Sequence, residues 1–200
     1  MEALRREEHY TYTDYCTWDN SRRWELINGV AYAMSPSPSR RHQAVAGEIF
    51  GQLREFLKGK HCKVFIAPFD VRLNADGADD TVVQPDILVV CDESKLEGGN
   101  GVVGAPDYIA EILSSSSIKY DWVNKKRLYL RSGVREYWIV DPDAKIVTAH
   151  VLRDGGYMSY TYDEHDAAVP VEVLSDCVIN LADVFEAAQA DVVKISPDIS

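Results

Sequence analysis

Apolar residues fall three and four apart between Arg41 and Lys58, where Val45, Ile49, Leu53 and Phe56 recur at the helical period and Gly59 follows as a stop. That spacing predicts an amphipathic helix. A second helix is predicted from Ile118 to Arg131, after the N-cap-rich run Ser114-Ser115-Ser116-Ser117 and before Gly133. Elsewhere the apolar runs are short. Arg23-Trp24-Glu25-Leu26-Ile27 and Val30-Ala31-Tyr32-Ala33-Met34 flank Asn28-Gly29, two residues that accept positive φ, which predicts a type I′ hairpin. The run Ser35-Pro36-Ser37-Pro38-Ser39 then ends the strand. Cys62–Ile66 and Phe69–Leu73 read as strands, with a polar loop from Asn74 to Asp80. Three apolar runs, Gln84–Val90, Asp107–Leu113 and Glu136–Val140, read as buried strands. Strands around Ile146–His150 and Gly156–Tyr162, an apolar segment near Val169–Leu174 and a helix near Leu181–Ala190 complete the pattern. Before all of these, Tyr10–Asp19 is an aromatic arm with Thr13 and Asp14 as candidate caps of a short helix.

Two hundred residues with 46% hydrophobic and 10% aromatic content suit one packed domain: an N-terminal arm (1–19), a core of about 20–155 and a β-rich C-terminal extension (156–200). The charged N-terminus and the lack of any apolar run near ~18 residues predict a soluble cytoplasmic protein that does not enter the membrane. Cys16, Cys62, Cys91 and Cys177 show no Cys-x-x-Cys spacing, and only His61 lies close to one of them, which argues against a zinc site and against a disulfide framework. A formal charge of −11 disfavours non-specific binding to nucleic acid, while leaving room for a local basic groove.

Candidate chemistry begins with Asp86 and Glu111, each the single carboxylate within an apolar strand. A carboxylate removed from water costs several kcal/mol unless it is paired, hydrogen-bonded or metal-bound, so folding alone does not favour these positions. On the second predicted helix Ile118, Trp122, Lys125 and Tyr129 share one narrow arc, with Asp121 and Leu128 beside them. Lys125 therefore faces inward, towards a carboxylate or a charged substrate, unless it simply pairs with Asp121 on an exposed face. On the first helix His42 falls on the apolar face with Glu48 and Gln52 flanking it; a helix-start histidine and a solvated glutamate describe these two equally well. Two strand carboxylates can hold one Mg²⁺, and a lysine at its edge suits phosphodiester hydrolysis. The formal G-x-G-x-x-G at Gly99 is not a dinucleotide fingerprint, because Pro106 and a strand follow it in place of a helix.

Taken together, Trp24-Glu25-Leu26-Ile27-Asn28-Gly29, Met34 to His42, Pro85-Asp86-Ile87-Leu88-Val89-Val90, Ala105-Pro106-Asp107 through Glu111-Ile112-Leu113-Ser114, Asp121-x-x-x-Lys125-x-x-x-Tyr129 and Gly133 to Pro142 resemble the Uma-two family of restriction-endonuclease-like proteins, within the PD-(D/E)XK superfamily. The resemblance covers about residues 10 to 155. It implies an α/β fold with a restriction-endonuclease-like core, a mixed central sheet flanked by helices, an N-terminal hairpin and a β-rich C-terminal extension. It also implies a metal-dependent endonuclease acting on DNA, with Mg²⁺ or Mn²⁺ held by Asp86 and Glu111. The superfamily lysine two residues past the second acid is replaced here by Leu113, and Lys125 is expected to serve instead. A further acid is expected from Glu25 or Glu48, with Glu48 favoured because superfamily members often carry it on the first core helix. His42, Asp121 and Tyr129 are secondary candidates. Where family members read Leu-Ser-Pro-Ser-Thr, this chain reads Leu113-Ser114-Ser115-Ser116-Ser117, which removes no expected ligand. A homodimer would suit a nuclease that cuts two strands, although no heptad marks an interface. The rival expectation is a non-catalytic binding protein that keeps the fold.

Overall fold

A computed structural model describes residues 8–18, 22–34, 38–75, 77–96, 99, 101–114 and 121–189. The chain opens with a single helical turn, α1 (Tyr12–Tyr15), capped by Thr11, whose backbone and hydroxyl both bond to Asp14. The cap is therefore Thr11, and Asp14 is its partner three residues on rather than the cap itself. The hairpin β1 (Trp24–Ile27) and β2 (Val30–Ala33) follows, with Asn28 and Gly29 at φ 50° and 74° as a type I′ turn demands. Ser39 then caps α2 (Arg40–Leu57) by accepting from the His42 amide.

Next come β3 (Lys63–Ile66), β4 (Val71–Arg72), β5 (Val82–Val83) and β6 (Ile87–Val90), then β7 (Val102–Val103) and β8 (Tyr108–Ile112). The expected strand Gln84–Val90 thus begins later, because Val82–Val83 forms a separate short strand and the chain turns at Gln84–Asp86. Just before β7, a side chain at Gly101 would meet the Asp70 carbonyl oxygen at 2.5 Å. After α3 (Asp121–Ser132) the chain continues through β9 (Glu136–Asp141), β10 (Ile146–Arg153), β11 (Gly156–Asp163), β12 (Val169–Pro170), β13 (Val178–Ile179) and α4 (Leu181–Gln189). Residues 35–37 and 115–120, which include the expected Pro36 break, part of the serine run and Ile118, lie outside the described residues.

Six strands form the main sheet in the order β11-β10-β9-β8-β6-β3. Only β8 and β9 run parallel within it, and α3 makes the crossover that such a pair requires. A second mixed sheet has the order β2-β1-β5-β4-β7. One face of the main sheet packs on α2 and α4 through Ile49, Leu53, Ile87, Trp138 and Phe185. Each such aliphatic or aromatic side chain taken fully out of water contributes about 1.5–3 kcal/mol. The opposite face packs on α3 and the smaller sheet through Val71, Leu88, Ile109, Tyr129 and Tyr137. The segment after residue 156 does more than extend the sheet, since Val169, Ile179, Leu181 and Phe185 are buried in the first of these cores. No helix among the described residues is long and apolar enough to cross a membrane.

Candidate active site

Asp86 stands immediately before β6, and Glu111 lies within β8. The antiparallel register pairs Ile87 with Ala110, so one step further Asp86 opposes Glu111. Residues directly opposed in an antiparallel ladder project to the same face. Glu111 shares its side of β8 with Ile109, which is part of the core beneath α3. Strand pairing alone thus brings the two acids together at one end of the main sheet, on the face covered by α3.

Lys125 reaches this point from α3. Its Nζ lies 3.0 Å from Glu111 Oε1 and 3.1 Å from Glu25 Oε1, and its side chain is only 9% exposed. One turn later Tyr129 donates its hydroxyl to the same Glu111 oxygen at 2.7 Å. Glu25, fully buried on β1, also accepts the Gln84 amide at 3.1 Å, while its second oxygen is buried with no hydrogen-bond partner. Asp86 Oδ2 accepts the Ile112 amide at 2.8 Å and lies 3.1 Å from His42 Nε2. His42 arrives from the first turn of α2, and its Nδ1 is buried without a partner.

Two carboxylates therefore flank one ammonium, and a third, Asp86, acts on Glu111 through its charge. Burial pushes the Glu111 carboxyl up; Lys125 opposes that shift, and the charges of Asp86 and Glu25 add to it. Burial would lower His42, but the hydrogen bond and charge of Asp86 outweigh it, so its pKa rises. Tyr129 is held well above the ordinary phenol range, first by burial and then by Glu111, and so remains a donor. The excess of negative charge, the orphaned Glu25 oxygen and a donor set made of oxygens all fit a hard divalent cation.

Of the expected residues, Asp86, Glu111, Lys125, Tyr129, His42 and Glu25 converge here. Glu48 does not. Its carboxylate accepts from Gln52 at 3.1 Å, and Gln52 in turn bonds the backbone of Asn180 through both ends of its amide. Six residues along a helix is a rotation of about 240°, so a helix that aims His42 at Asp86 turns Glu48 aside towards Asn180. The further acid beside the lysine is Glu25. The side chains of Asp121 and Trp122 lie outside the described residues, and so does the alternative pairing of Lys125 with Asp121; among the described residues Lys125 pairs with glutamates from two other elements.

Sequence reasoning missed Gln84. Besides its amide bond to Glu25, its side chain bonds Tyr15 at 3.1 Å and Asp70 at 2.8 Å, tying the aromatic arm to the site. A polar residue two before Asp86, inside an otherwise apolar run, was the available signal.

The family model described as "Uma2: Putative restriction endonuclease" matches residues 10–182. Among solved structures, one described as a "putative nuclease belonging to DUF820" from Anabaena variabilis ATCC 29413 matches with a TM-score of 0.72 and 22% sequence identity, over 90% of this chain and 99% of that one. That likeness shows a shared fold, mixed α/β with helices against mixed sheets. No curated protein matches the chain.

Proposed function

The chain belongs to the Uma2 family, and from this premise we propose that it is a cytoplasmic, metal-dependent endonuclease that hydrolyses DNA phosphodiester bonds. The observation that carries this reading is the opposition of Asp86 and Glu111 across one strand pair, with Lys125 held between Glu111 and Glu25. Asp86 and Glu111 would hold Mg²⁺, or Mn²⁺ in its place. When bound, such an ion polarises a phosphoryl oxygen and lowers the pKa of a coordinated water.

The remaining work falls to the chain itself. His42 and the Ile112 amide fix the Asp86 carboxylate, as partners of metal ligands commonly do. Tyr129 orients Glu111, and the Gln84 amide orients Glu25. Lys125, already positioned by two carboxylates, supplies a point charge for the negative charge that develops on the phosphoryl group. A second copy of the chain would provide the second centre needed to cut both strands.

Plasmid cleavage with Mg²⁺ and Mn²⁺, run beside calorimetric metal titration on wild type, Asp86→Asn and Glu111→Gln, tests the reading. Cleavage and metal binding in the wild type, both lost in the variants, are expected. DNA binding without cleavage under either ion would replace this reading with that of a non-catalytic binding protein, and full cleavage by Asp86→Asn would refute the ligand assignment.

A further inference from the structure

At the other end of β6 the register sets a second group of ligand-type side chains. Lys63 pairs with Val90, so the next step along the ladder brings Cys62 opposite Cys91; their Cα atoms are 4.0 Å apart and the sulfurs are bonded to each other. The sequence reading, which argued against a disulfide framework, did not foresee this bond, because cysteines 29 residues apart become neighbours only through strand register. Cys16 and Cys177 are free. His61, exposed and adjacent in sequence, places Nε2 3.3 Å from Cys62 Sγ, and the three ligand atoms of His61, Cys62 and Cys91 lie within 4.8 Å of one another. They form the one such His/Cys/Asp/Glu group of three or more among the described residues.

We propose that the reduced chain uses Cys62, Cys91 and His61 as a thiolate–imidazole site for a borderline metal ion such as Zn²⁺, and that the disulfide is the metal-free state of the same site. A disulfide alone gives no use to the imidazole beside it, whereas two sulfurs and one nitrogen are three-quarters of a tetrahedral zinc sphere with the fourth position left for water or another ligand. The Zn–S bond length of about 2.3 Å requires sulfurs about 3.8 Å apart, a separation within reach of side chains on neighbouring residues of a strand pair. Access comes from a groove of about 380 Å³ that Cys62 lines together with Phe50, Arg54, Lys58 and Lys63.

The chemistry is balanced at each step. A dithiol reductant gives two electrons and two protons to the Cys62–Cys91 bond and itself becomes a disulfide. Zn²⁺ then displaces the two thiol protons. A small-molecule disulfide then takes two electrons from the two thiolates and, with two protons, leaves as two thiols, re-forming the Cys62–Cys91 bond and releasing Zn²⁺. Soft sulfur and nitrogen donors here and hard carboxylates at Asp86 would select different metals, so the two sites would not compete for one ion.

Full-length protein opened with a phosphine, freed of it without air and titrated with Co²⁺ tests this directly. One Co²⁺ per chain is expected to produce a thiolate-to-cobalt charge-transfer band and the visible bands of tetrahedral cobalt; the oxidised protein should show neither band. Cobalt on the carboxylate site lacks the charge-transfer band, so the two sites read separately. Cys62→Ser should abolish the band. The exposed His61→Ala, which has little structure to disturb, should weaken Zn²⁺ binding in a chelator competition by at least about tenfold. The proposal falls if the reduced wild type shows no thiolate band, if the phosphine cannot open the disulfide in the folded protein, or if His61→Ala binds Zn²⁺ as tightly as the wild type.

Discussion

Two glutamates on the neighbouring strands β8 and β9, Glu111 and Glu136, are both driven upward in pKa chiefly by burial, yet their surroundings differ in kind. Glu111 meets a lysine and a tyrosine and shares its space with Asp86 and Glu25. Glu136 projects to the opposite face of the sheet. There its two oxygens accept the Trp138 indole N–H at 2.6 Å and the Val173 amide at 2.9 Å, stapling β9 to the segment after β12. A raised pKa is common to both and so does not mark function. What distinguishes Glu111 is company: further carboxylates, a counter-charge, and a neighbouring carboxylate oxygen left without a partner.

The sharpest break between the two lies in activity. Asp86→Asn and Glu111→Gln should each lower DNA cleavage well beyond the roughly 10–100-fold typical of losing an outer partner of a metal ligand, because on the proposed function they would remove the ligands themselves. Glu136→Gln should leave cleavage within about twofold, a change of under about 0.5 kcal/mol in the barrier. Comparable losses at both positions would erase the distinction, and plasmid cleavage at saturating Mg²⁺ measures it.

Stability should show the reverse order. Glu136→Ala leaves the buried Trp138 indole N–H and the part-buried Val173 amide without their acceptor, at about 1–3 kcal/mol each, so a loss of about 2–6 kcal/mol is expected in urea denaturation. Glu111→Gln relieves like charge against Asp86 and Glu25 and should cost much less, or even stabilise the metal-free protein.

How far this contrast was legible beforehand depends on the kind of information each residue carries. Asp86 and Glu111 stood out as acids inside apolar runs, and Lys125 stood out through its place on the helical arc, since burial and period are local properties of sequence. Glu136 resembled them just as well by that criterion: it too opens an apolar strand. Its partner Val173 lies 37 residues away, and no local pattern names a long-range hydrogen-bond donor. The Cys62–Cys91 pair was missed for the same reason, as was the choice between Glu25 and Glu48. Register between strands and the rotation of one helix over a sheet are tertiary facts.

Titration sharpens the comparison further. Glu136, raised from 4.5 to about 7, binds a proton more tightly folded than unfolded, so it favours the folded state fully below pH 4.5 and loses that contribution as pH rises through about 7. At about 1.4 kcal/mol per unit, the wild type should lose on the order of 2–3 kcal/mol relative to Glu136→Gln across that window. Glu111 shifts in the same direction, but its signature is in metal binding: a proton competes with the ion, so Mg²⁺ affinity should fall as pH falls, with protons released on binding. Calorimetry in buffers of different ionisation enthalpy counts those protons, and Glu136→Gln should leave the count unchanged.

The smallest effect belongs to Glu48, and it discriminates well for that reason. Glu25→Gln keeps an acceptor for Lys125 and the Gln84 amide but removes a charge beside the site, and a drop of about 10–100-fold in cleavage is expected. Glu48→Gln alters a half-buried carboxylate whose bond is to Gln52, and it should change stability by no more than about 0.5 kcal/mol and cleavage not measurably. Were the outcomes exchanged, α2 would have to rotate in the working protein to bring Glu48 round, and His42 would then leave Asp86. The His42–Asp86 contact at 3.1 Å and the Gln52–Asn180 bonds on the other side of the same helix hold it against that rotation, which is why the silent result is expected at Glu48.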